Sequence, residues 1–588
     1  MKRLIILAAT LIAGLSACDS LLDKEPLDRV TQFDYFKTRS DLELFSNPFY
    51  DNLLDKTPYD EQNDLLVQMT LSDVLYGGDK RTVPNTGGGW SWGNLRRINT
   101  LLEYVDQCED KKAVTEYTAL AKFFRAAFYF DKVKRFGDVP WYDEPIDPDD
   151  DEQLYKGRDP RDYVMQKVLE DLDFAATWCS KASKYVNTNV INRYVALALK
   201  SRICLYEGTY RKYHNLNLDG HDANFYLDLA AKAALEIIEK GPYKLYQTGH
   251  PEKDYLTLFA QKDASPEEYI LAIKFDYAIG ARHNASAYTL LPTQGRPGLT
   301  RKFINTYLMD NGTAFTDKPG WQEMQFIEET DGRDPRLAQS IRTPGYTRIG
   351  QTEVEGPMFE TTVTGYQPVK FVQDPTSNSN NNDRVDSSDC DMPVYRFGEV
   401  LLIYAEAKAE LGTLTQDDLT ISINKLRDRV GMPPLDMAKA NAKPDWYLSS
   451  EEYGYPNVTG ANAGVILEIR RERTIELLQE GHRFEDLVRW KAGTCIDQAI
   501  TGMYFPGPGE YDLTGDGKAD LILYAKGAAK PSADEGVYVY ELGTDIFLSE
   551  DTKGYMAFHK DVERTKFNEG RDLSLIHISE PTRPLYIS

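Results

Sequence analysis

The 588-residue sequence has few of the features that mark enzyme active sites and metal centres. It contains no HExxH or P-loop motif, and its six cysteines include no CxxC pair. These absences argue against a zincin-type metalloprotease, a P-loop nucleotide hydrolase, and a zinc or dithiol redox site built on paired cysteines. Excess positive charge is also missing. A net charge of -24 disfavours a nucleic-acid partner, which binds basic surfaces.

Long apolar runs are missing as well, and the one pronounced apolar stretch lies at the N-terminus. Lys2 and Arg3 precede an uncharged, mostly apolar segment that runs from Leu4 to Leu15. A bilayer-spanning helix needs roughly 20 apolar residues, so this segment is too short to span and fits the apolar region of a secretory signal. The alternative interpretation is a buried N-terminal helix.

The signal ends at a cysteine. The segment Leu15-Ser16-Ala17-Cys18 resembles a bacterial lipobox, in which the cysteine is acylated after cleavage. We therefore predict a signal peptide at 1–17, lipid attachment at Cys18, and a polar lipidated tether at 18–30. Such an anchor holds a protein on a membrane without crossing it. The rest of the chain is therefore expected to fold outside the cytoplasm.

The spacing of apolar residues predicts a mainly helical chain. Apolar positions recur every three or four residues in several segments, which indicates amphipathic helices. Residues 244–395 differ, because they are rich in Gly, Pro, Thr, Asn and Asp and read as loops with a few strands, one at 267–275. Helices separated by tight turns favour an array of helix hairpins of the tetratricopeptide type. The predicted helices are 114–134, 159–178, 192–208, 225–243, 399–412, 421–432 and 463–490.

Five ordered motifs resemble the SusD/RagB family, the surface nutrient-binding lipoproteins of Bacteroidetes. They are FFRAAFYFDKVKRFGDVP (123–140), ALKSRICLYEGT (198–209), DPRL (334–337), PVYRFGEVLLIYAEAKAELG with INKLRDRVGMP (393–412 and 423–433), and IRRERTIELLQEGHRFEDLVRW (469–490). The resemblance implies a SusD-like fold: a helix-hairpin array with a loop-rich, minor-β half that binds the ligand. It also implies a location on the cell surface, anchored to the outer membrane, and a partner, a SusC-type TonB-dependent outer-membrane transporter.

The resemblance sets the expected domain limits. We expect a single SusD-like domain at 31–572, with a helical portion at about 31–243 and a loop-rich and C-terminal portion at about 244–572. Residues 573–588 depart from the family's usual C-terminus and read as a foreign tail.

Loop aromatics are the candidate ligand residues. A Gly-rich stretch leads to Trp90 and Trp92, and a flat ring can stack on the apolar face of a sugar. Trp321 and Tyr288 lie in the loop-rich portion and are further candidates. Core packing of one or both of Trp90 and Trp92 is the alternative. Three polar residues are predicted to hold sugar hydroxyls, namely Asp73, Arg81 and Asn94.

The segment DLTGDGKAD (512–520) has the spacing of oxygen ligands in a calcium loop. Its predicted ligands are Asp512, Thr514, Asp516, the Lys518 carbonyl and Asp520, with Gly517 at the sharp turn. The twelfth position is Leu523 and not Glu, so the segment is no complete EF-hand loop. A structural Ca²⁺ is the predicted occupant, and a solvated Asp-Gly turn is the alternative. No cofactor is required by the predicted function.

The function expected from these features is non-catalytic capture of a glycan for import through the transporter. A binder of peptides or of another nutrient with the same partner is the alternative. The many carboxylates of 469–490 raise a third hypothesis, a surface glycosidase with paired acid and base groups. Pairing of Arg with Glu three or four residues away on a helix explains the same pattern structurally, so we expect no enzyme activity.

Overall fold

The computed structural model describes residues 35–54, 57–76, 88–179, 188–560, 562, 564 and 566–567. The predicted signal peptide, the tether with Cys18, Arg81 and the predicted foreign tail lie outside the described residues. None of the described helices is long and apolar enough to cross a membrane.

The first half of the described chain is helical. Its longest helix, α4, follows Asp110, whose carboxylate accepts hydrogen bonds from the backbone N–H groups of Lys112 and Ala113. The helix ends at Gly137, which has a φ of 70°. The helices of this half are α1 (Arg39–Leu53), α2 (Asp73–Tyr76), α3 (Gly93–Tyr104), α4 (Lys111–Phe136), α5 (Asp151–Leu154), α6 (Arg161–Trp178), α7 (Arg193–Tyr213) and α8 (Ala223–Lys240).

Short helices and strands alternate in the second half. Its helices are α9 (Asp254–Ala260), α10 (Ala285–Leu290), α11 (Arg301–Ile304), α12 (Phe326–Thr330), α13 (Phe397–Glu410), α14 (Gln416–Thr420), α15 (Ile423–Arg429), α16 (Met437–Ala442), α17 (Trp446–Ser449), α18 (Ala463–Glu476) and α19 (Arg483–Arg489). The strands of the described chain are β1 (Leu66–Val67), β2 (Tyr269–Ile273), β3 (Gly298–Leu299), β4 (Met392–Arg396), β5 (Thr501–Phe505), β6 (Gly509–Tyr511), β7 (Leu521–Tyr524), β8 (Tyr538–Glu541) and β9 (Gly554–Ala557).

The long helices pack as a sequential array. Helix α4 lies against α1, α3 and α6, α6 lies against α7, and α7 lies against α8. The array then continues across the chain, because α8 packs on α13 and α13 packs on α18. Buried ion pairs reinforce it: the Arg125 guanidinium on α4 donates to Asp171 on α6 at 2.6 and 2.9 Å. This arrangement confirms the predicted mainly helical fold with minor β content.

The prediction of one continuous helix over 463–490 is wrong. Helix α18 ends at Glu476, and α19 begins at Arg483. Between them Gln479 and Gly481 have φ angles of 58° and 79°, the left-handed region that no right-handed helix contains. The apolar periodicity continues across the turn, which is why the sequence pattern did not reveal the break.

The strands form small sheets that cover the loop-rich portion. The antiparallel pairs are β1–β3, β2–β4 and β5–β9, and a three-stranded sheet has the order β6–β7–β8, with β7 and β8 parallel. The largest hydrophobic cluster joins side chains from Phe36 to Phe567. A second cluster, which includes Leu299, Phe359 and Met503, lies beneath the C-terminal strands.

The predicted limits of a single domain at 31–572 stay a prediction.

Candidate functional site

A cleft of about 770 Å³ opens beside the C-terminal strands. One wall comes from the segment after β1 and the loop before β3, including Met69 and Arg296, and the other from the chain around β8 and β9. Phe359 and Thr362 lie at its base. We call this feature the aromatic cleft. It joins segments that are distant in sequence.

Tyr540 lines one side of the aromatic cleft, and its ring is supported by that of Tyr538. Tyr538 and Tyr540 are two residues apart on β8, so their side chains point to the same face of the strand. Their rings stack with centroids 5.9 Å apart and planes at 10°. Both rings lie 6.3 Å from Phe359, which is 3% exposed. Packing on this buried ring fixes the orientation of the two tyrosines.

An exposed ring stands near the mouth of the cleft. Phe547 is 42% exposed, a large apolar surface for a side chain with no covering element. The Lys560 ammonium lies 5.9 Å from the centre of its ring and is also held by Asp551 at 2.6 Å. Such an exposed ring with a charged neighbour offers one face to a ligand and a polar group at its edge.

Two polar groups at the base of the cleft have no partner among the described residues. The Thr362 side chain is 1% exposed, and its hydroxyl makes no hydrogen bond there. Arg296 donates from Nη2 to the Phe359 carbonyl at 2.7 Å, whereas its buried Nε finds no acceptor. Arg296 also has a φ of 54°, an unusual conformation for a side-chain-bearing residue. Buried polar groups are nearly always hydrogen-bonded, so these two are suited to bind water or a ligand.

Two titratable groups of the cleft, Tyr540 and His559, are neutral at physiological pH. Burial, together with the nearby charge of Glu360, raises the pKa of Tyr540 to about 12, so its hydroxyl stays a donor. Burial lowers the pKa of His559 below its usual range. The His559 Nε2 lies 3.0 Å from the Met69 carbonyl and must carry the proton, which leaves Nδ1 as an acceptor. The cleft thus offers both hydrogen-bond donors and an acceptor.

The predicted tryptophans of the Gly-rich stretch pack against helix α4 and its surroundings. Trp90 is half-buried, 4.8 Å from the ring of Phe136, with the Arg158 guanidinium 5.0 Å above it. Trp92 is 3% exposed. The rings that surround it belong to Trp90, Phe128, Tyr129 and Tyr142. A ring enclosed in this way presents no face to a sugar, and Trp92 therefore corresponds to the core-packing alternative.

The other predicted ligand residues lie in separate places. Asn94 is half-buried in a second cleft of about 580 Å³, and Asp73 is exposed at the start of α2. Tyr288 and Trp321 are each 7% exposed. Tyr288 packs on Tyr59 at 5.9 Å. The described members of the predicted set therefore do not surround one cavity, and their roles in binding stay predictions.

Sequence reasoning missed the C-terminal half of the aromatic cleft. The segment GVYVYELG (536–543) alternates aromatic and β-branched residues with glycine at both ends, the pattern of a strand. This pattern could have predicted a strand that carries Tyr538 and Tyr540. No sequence signal joins them to Arg296, because the two segments are more than two hundred residues apart in the chain.

The calcium-loop residues are engaged in local hydrogen bonds. Asp512 and Asp520 accept from backbone N–H groups within 513–517 at distances of 2.6 to 3.1 Å. The Thr514 hydroxyl donates to Asp520, and Asp516 accepts from the Lys518 N–H. In the described part of the chain, no three His, Cys, Asp or Glu side chains converge as a metal site requires. The calcium ion stays a prediction, and the geometry matches the alternative of an Asp-Gly turn.

Carboxylates of the 469–490 segment have structural partners. Asp486 pairs with Arg489 three residues away, as expected, whereas two other carboxylates have partners outside the segment. Glu472 lies 2.8 Å from Arg336, and Glu476 lies 2.7 Å from Arg429. All four side chains are buried, and the arginines come from other parts of the chain and not from the same helix. Each carboxylate neutralises a buried guanidinium, so neither is free to act as the acid or base of a glycosidase.

A serine motif also lacks the geometry of catalysis. Residues 89–93 read Gly-Trp-Ser-Trp-Gly, which matches the GxSxG pattern of serine hydrolases. That pattern requires a strand-to-helix turn and a histidine beside the serine. Residues 88–92 form no strand, Ser91 is exposed, and no hydrogen bond joins it to a histidine of the described chain.

Known proteins share sequence and fold with this chain. The SusD family model matches residues 268–569, more than half of the chain. Among curated relatives, SusD-like protein P2 of Formosa agariphila is 23% identical over 522 residues, which cover 84% of this chain and 92% of the relative. Proteins of the SusD family are non-catalytic binding proteins. The chain belongs to the SusD family.

Solved structures show the same fold. A SusD-like protein from Bacteroides fragilis superposes with a TM-score of 0.61 at 20% identity, covering 82% of this chain and 91% of that one. A SusD-like carbohydrate binding protein from the same species has a TM-score of 0.61 at 20% identity and covers 92% and 99%. This likeness confirms the predicted mainly helical SusD-like fold.

Proposed function

We propose that the protein is a cell-surface lipoprotein that binds a glycan in the aromatic cleft. The observation that carries the proposal is the combination of aromatic rings with unpaired polar groups in one cavity, namely Tyr540 and Phe547 with Thr362 and Arg296. Sugars present both an apolar ring face and a rim of hydroxyls, which matches this combination. A structurally similar SusD-like protein is described as carbohydrate binding.

The aromatic contacts supply affinity. If each sugar face buries about 50–100 Å² against a ring, each contact contributes about 1–2.5 kcal/mol. Hydroxyls that reach Thr362 and Arg296 satisfy groups that are otherwise unpaired, so their hydrogen bonds add to affinity instead of only replacing bonds to water. A few such contacts are consistent with millimolar to micromolar binding.

Lipidation at Cys18 would hold the protein on the outer membrane, outside the cytoplasm. The bound glycan would pass to a SusC-type TonB-dependent transporter, the partner that the family resemblance implies. The protein's own task in this scheme is capture: the carboxylates of α18 are occupied by arginines, and the bound chain leaves uncleaved.

Isothermal titration tests the proposal. The purified protein, without the signal peptide and lipidated cysteine, is titrated with soluble glucans, xylans, mannans and galactans and, separately, with a pool of peptides. We expect saturable heat with one glycan class and no release of sugar from the bound polymer. Saturation with the peptides alone would favour the alternative nutrient, and release of sugar would contradict the non-catalytic role.

A further inference from the structure

A second group of aromatic side chains lies away from the aromatic cleft. We propose that this group, formed by Trp446, Tyr447, Tyr453 and Trp321, is a second contact site for the glycan chain. We call it the Trp446 platform. The inference rests on the proposed function, since it requires that the protein bind a glycan.

The platform has a buried centre and two accessible rings. Tyr447 is 1% exposed, and its ring stacks on that of Tyr453 at 4.4 Å and 9°. On its other side lies Trp446, 5.8 Å away and 44% exposed. Trp321 supports both Trp446 and Tyr447 from below, at 6.3 and 5.8 Å. Two half-exposed rings on either side of a buried one can support two sugar units of a single chain.

The exposed tryptophan is held rigidly. The Asp445 carboxylate accepts from the Leu448 N–H at 2.9 Å, caps the short helix α17, and is paired with Arg471. The Tyr447 hydroxyl donates to the Lys302 carbonyl at 3.2 Å. These contacts fix the backbone on both sides of Trp446. A pre-formed ring loses little conformational entropy when a ligand stacks on it, which favours binding.

Polar groups border the platform, as sugar recognition requires. Gln322 and Glu323 are exposed beside Trp321. Lys443 pairs with Asp317 at 2.7 Å, and both lie at the surface. These groups supply donors and acceptors for hydroxyls around the ring faces. A purely apolar patch would instead be typical of contact between proteins.

One strand connects the platform to the aromatic cleft. Arg301 donates to the Trp321 carbonyl at 3.2 Å, and its guanidinium lies 4.9 Å from the ring of Tyr555 on β9. The next residue of β9, Met556, lines the aromatic cleft. Alternate residues of a strand point to opposite faces, so the two sites lie on the two sides of β9. A long chain can contact both, whereas a short oligosaccharide occupies one.

The test compares long and short forms of one glycan. Trp446→Ala and Tyr453→Ala are titrated with each polysaccharide of the panel and with a short oligosaccharide cut from the same polymer. We expect affinity for the polymer to fall about fivefold or more, which is the loss of one stacking contact. Affinity for the oligosaccharide that fills the cleft should stay unchanged. Trp178→Ala is the matched control, because Trp178 is 52% exposed on α6.

The outcomes separate this inference from the proposed function. Polymer affinity equal to wild type in Trp446→Ala overturns the platform while the cleft stands. An equal loss in Trp178→Ala also overturns it, since exposed tryptophans would then act non-specifically. If no polysaccharide binds the wild-type protein, the proposed function fails and the inference falls with it.

A second measurement does not depend on the stability of Trp446→Ala. In a Trp178→Phe background, Trp446 is the most exposed tryptophan of the described chain. Bound polysaccharide should then reduce quenching of tryptophan fluorescence by acrylamide. Quenching that is unchanged at saturation would contradict the platform.

Discussion

Glu476 lies 2.7 Å from Arg429, and both side chains are fully buried. Arg396 reaches the same carboxylate at 2.8 Å. The carboxylate pairs with both guanidinium groups where α18 meets α15 and β4. Removing one partner of a buried ion pair leaves an uncompensated charge.

We therefore predict that stability is lost in acid through these carboxylates. Burial opposes ionisation, yet the charges of Arg429 and Arg396 hold the pKa of Glu476 well below its usual value. In the same way Arg483 and Lys302 lower the pKa of Asp64 to about 2. A depressed pKa in the folded state contributes stability above the unfolded pKa, near 4.5 for Glu, and that stability is lost as pH falls toward the folded value.

Urea denaturation between about pH 7 and pH 3 measures the effect. We expect the free energy of unfolding to fall steadily below about pH 5. Glu476→Gln should lower it by about 3–5 kcal/mol at pH 7 and flatten its dependence on pH. Glu170→Gln, at an exposed pair on α6, is the control and should change little. A flat profile in the wild type would contradict the role of these buried pairs.

Phe547→Ala tests the exposed ring of the aromatic cleft. The side chain is 42% exposed, so its removal should leave the melting temperature nearly unchanged. Loss of one stacking contact should weaken glycan binding about five- to fiftyfold, or about 1–2.5 kcal/mol. Titration with the glycan that binds the wild type measures the change. Tyr163→Ala, at another exposed aromatic residue, should bind as the wild type does.

Thr362→Val tests the unpaired hydroxyl at the base of the cleft. Valine has nearly the same shape, and a buried hydroxyl without a partner lowers stability. The variant should therefore be as stable as the wild type or more so, in contrast to most buried substitutions. Glycan affinity should fall several-fold, because one hydrogen bond to the ligand is lost. Reduced stability together with unchanged affinity would show that the hydroxyl serves the fold.

Trp92→Ala tests whether this tryptophan belongs to the core. Its ring is 3% exposed among other aromatic rings. Truncation should lower the free energy of unfolding by about 3–5 kcal/mol, as for other buried tryptophans. Denaturation with urea measures this change, with Trp178→Ala as the exposed comparison. A stable variant with weakened glycan binding would instead support the predicted ligand role.

Asp520→Ala tests whether the Asp512–Asp520 turn binds calcium or is held only by its own hydrogen bonds. Asp520 accepts from two backbone amides and from the Thr514 hydroxyl. From this geometry we expect Asp520→Ala to lower the melting temperature equally in EDTA and in millimolar calcium. Differential scanning fluorimetry makes the comparison. A wild-type melting temperature that rises with calcium, and no longer rises in Asp516→Asn, would establish the ion.

The sequence by itself determined the helical half of this protein. Apolar spacing located α4, α6, α7 and α8 to within a few residues at most ends, because each helix buries one continuous stripe and is bounded by local signals such as Asp110 and Gly137. Two of the five family motifs, at 123–140 and 198–209, lie on α4 and α7. Local periodicity is sufficient where the structure is built from contacts close in sequence.

Only the tertiary structure decided where the candidate site lies. The break between α18 and α19 depends on the left-handed conformations of Gln479 and Gly481, which no periodicity reveals. Whether a tryptophan is a platform or part of the core depends on its neighbours: Trp92 is enclosed, and Trp446, which no motif marked, is exposed. The aromatic cleft joins Arg296 to Tyr540 across more than two hundred residues of chain. Packing between separate sheets brings such residues together, and a sequence pattern records only one strand at a time.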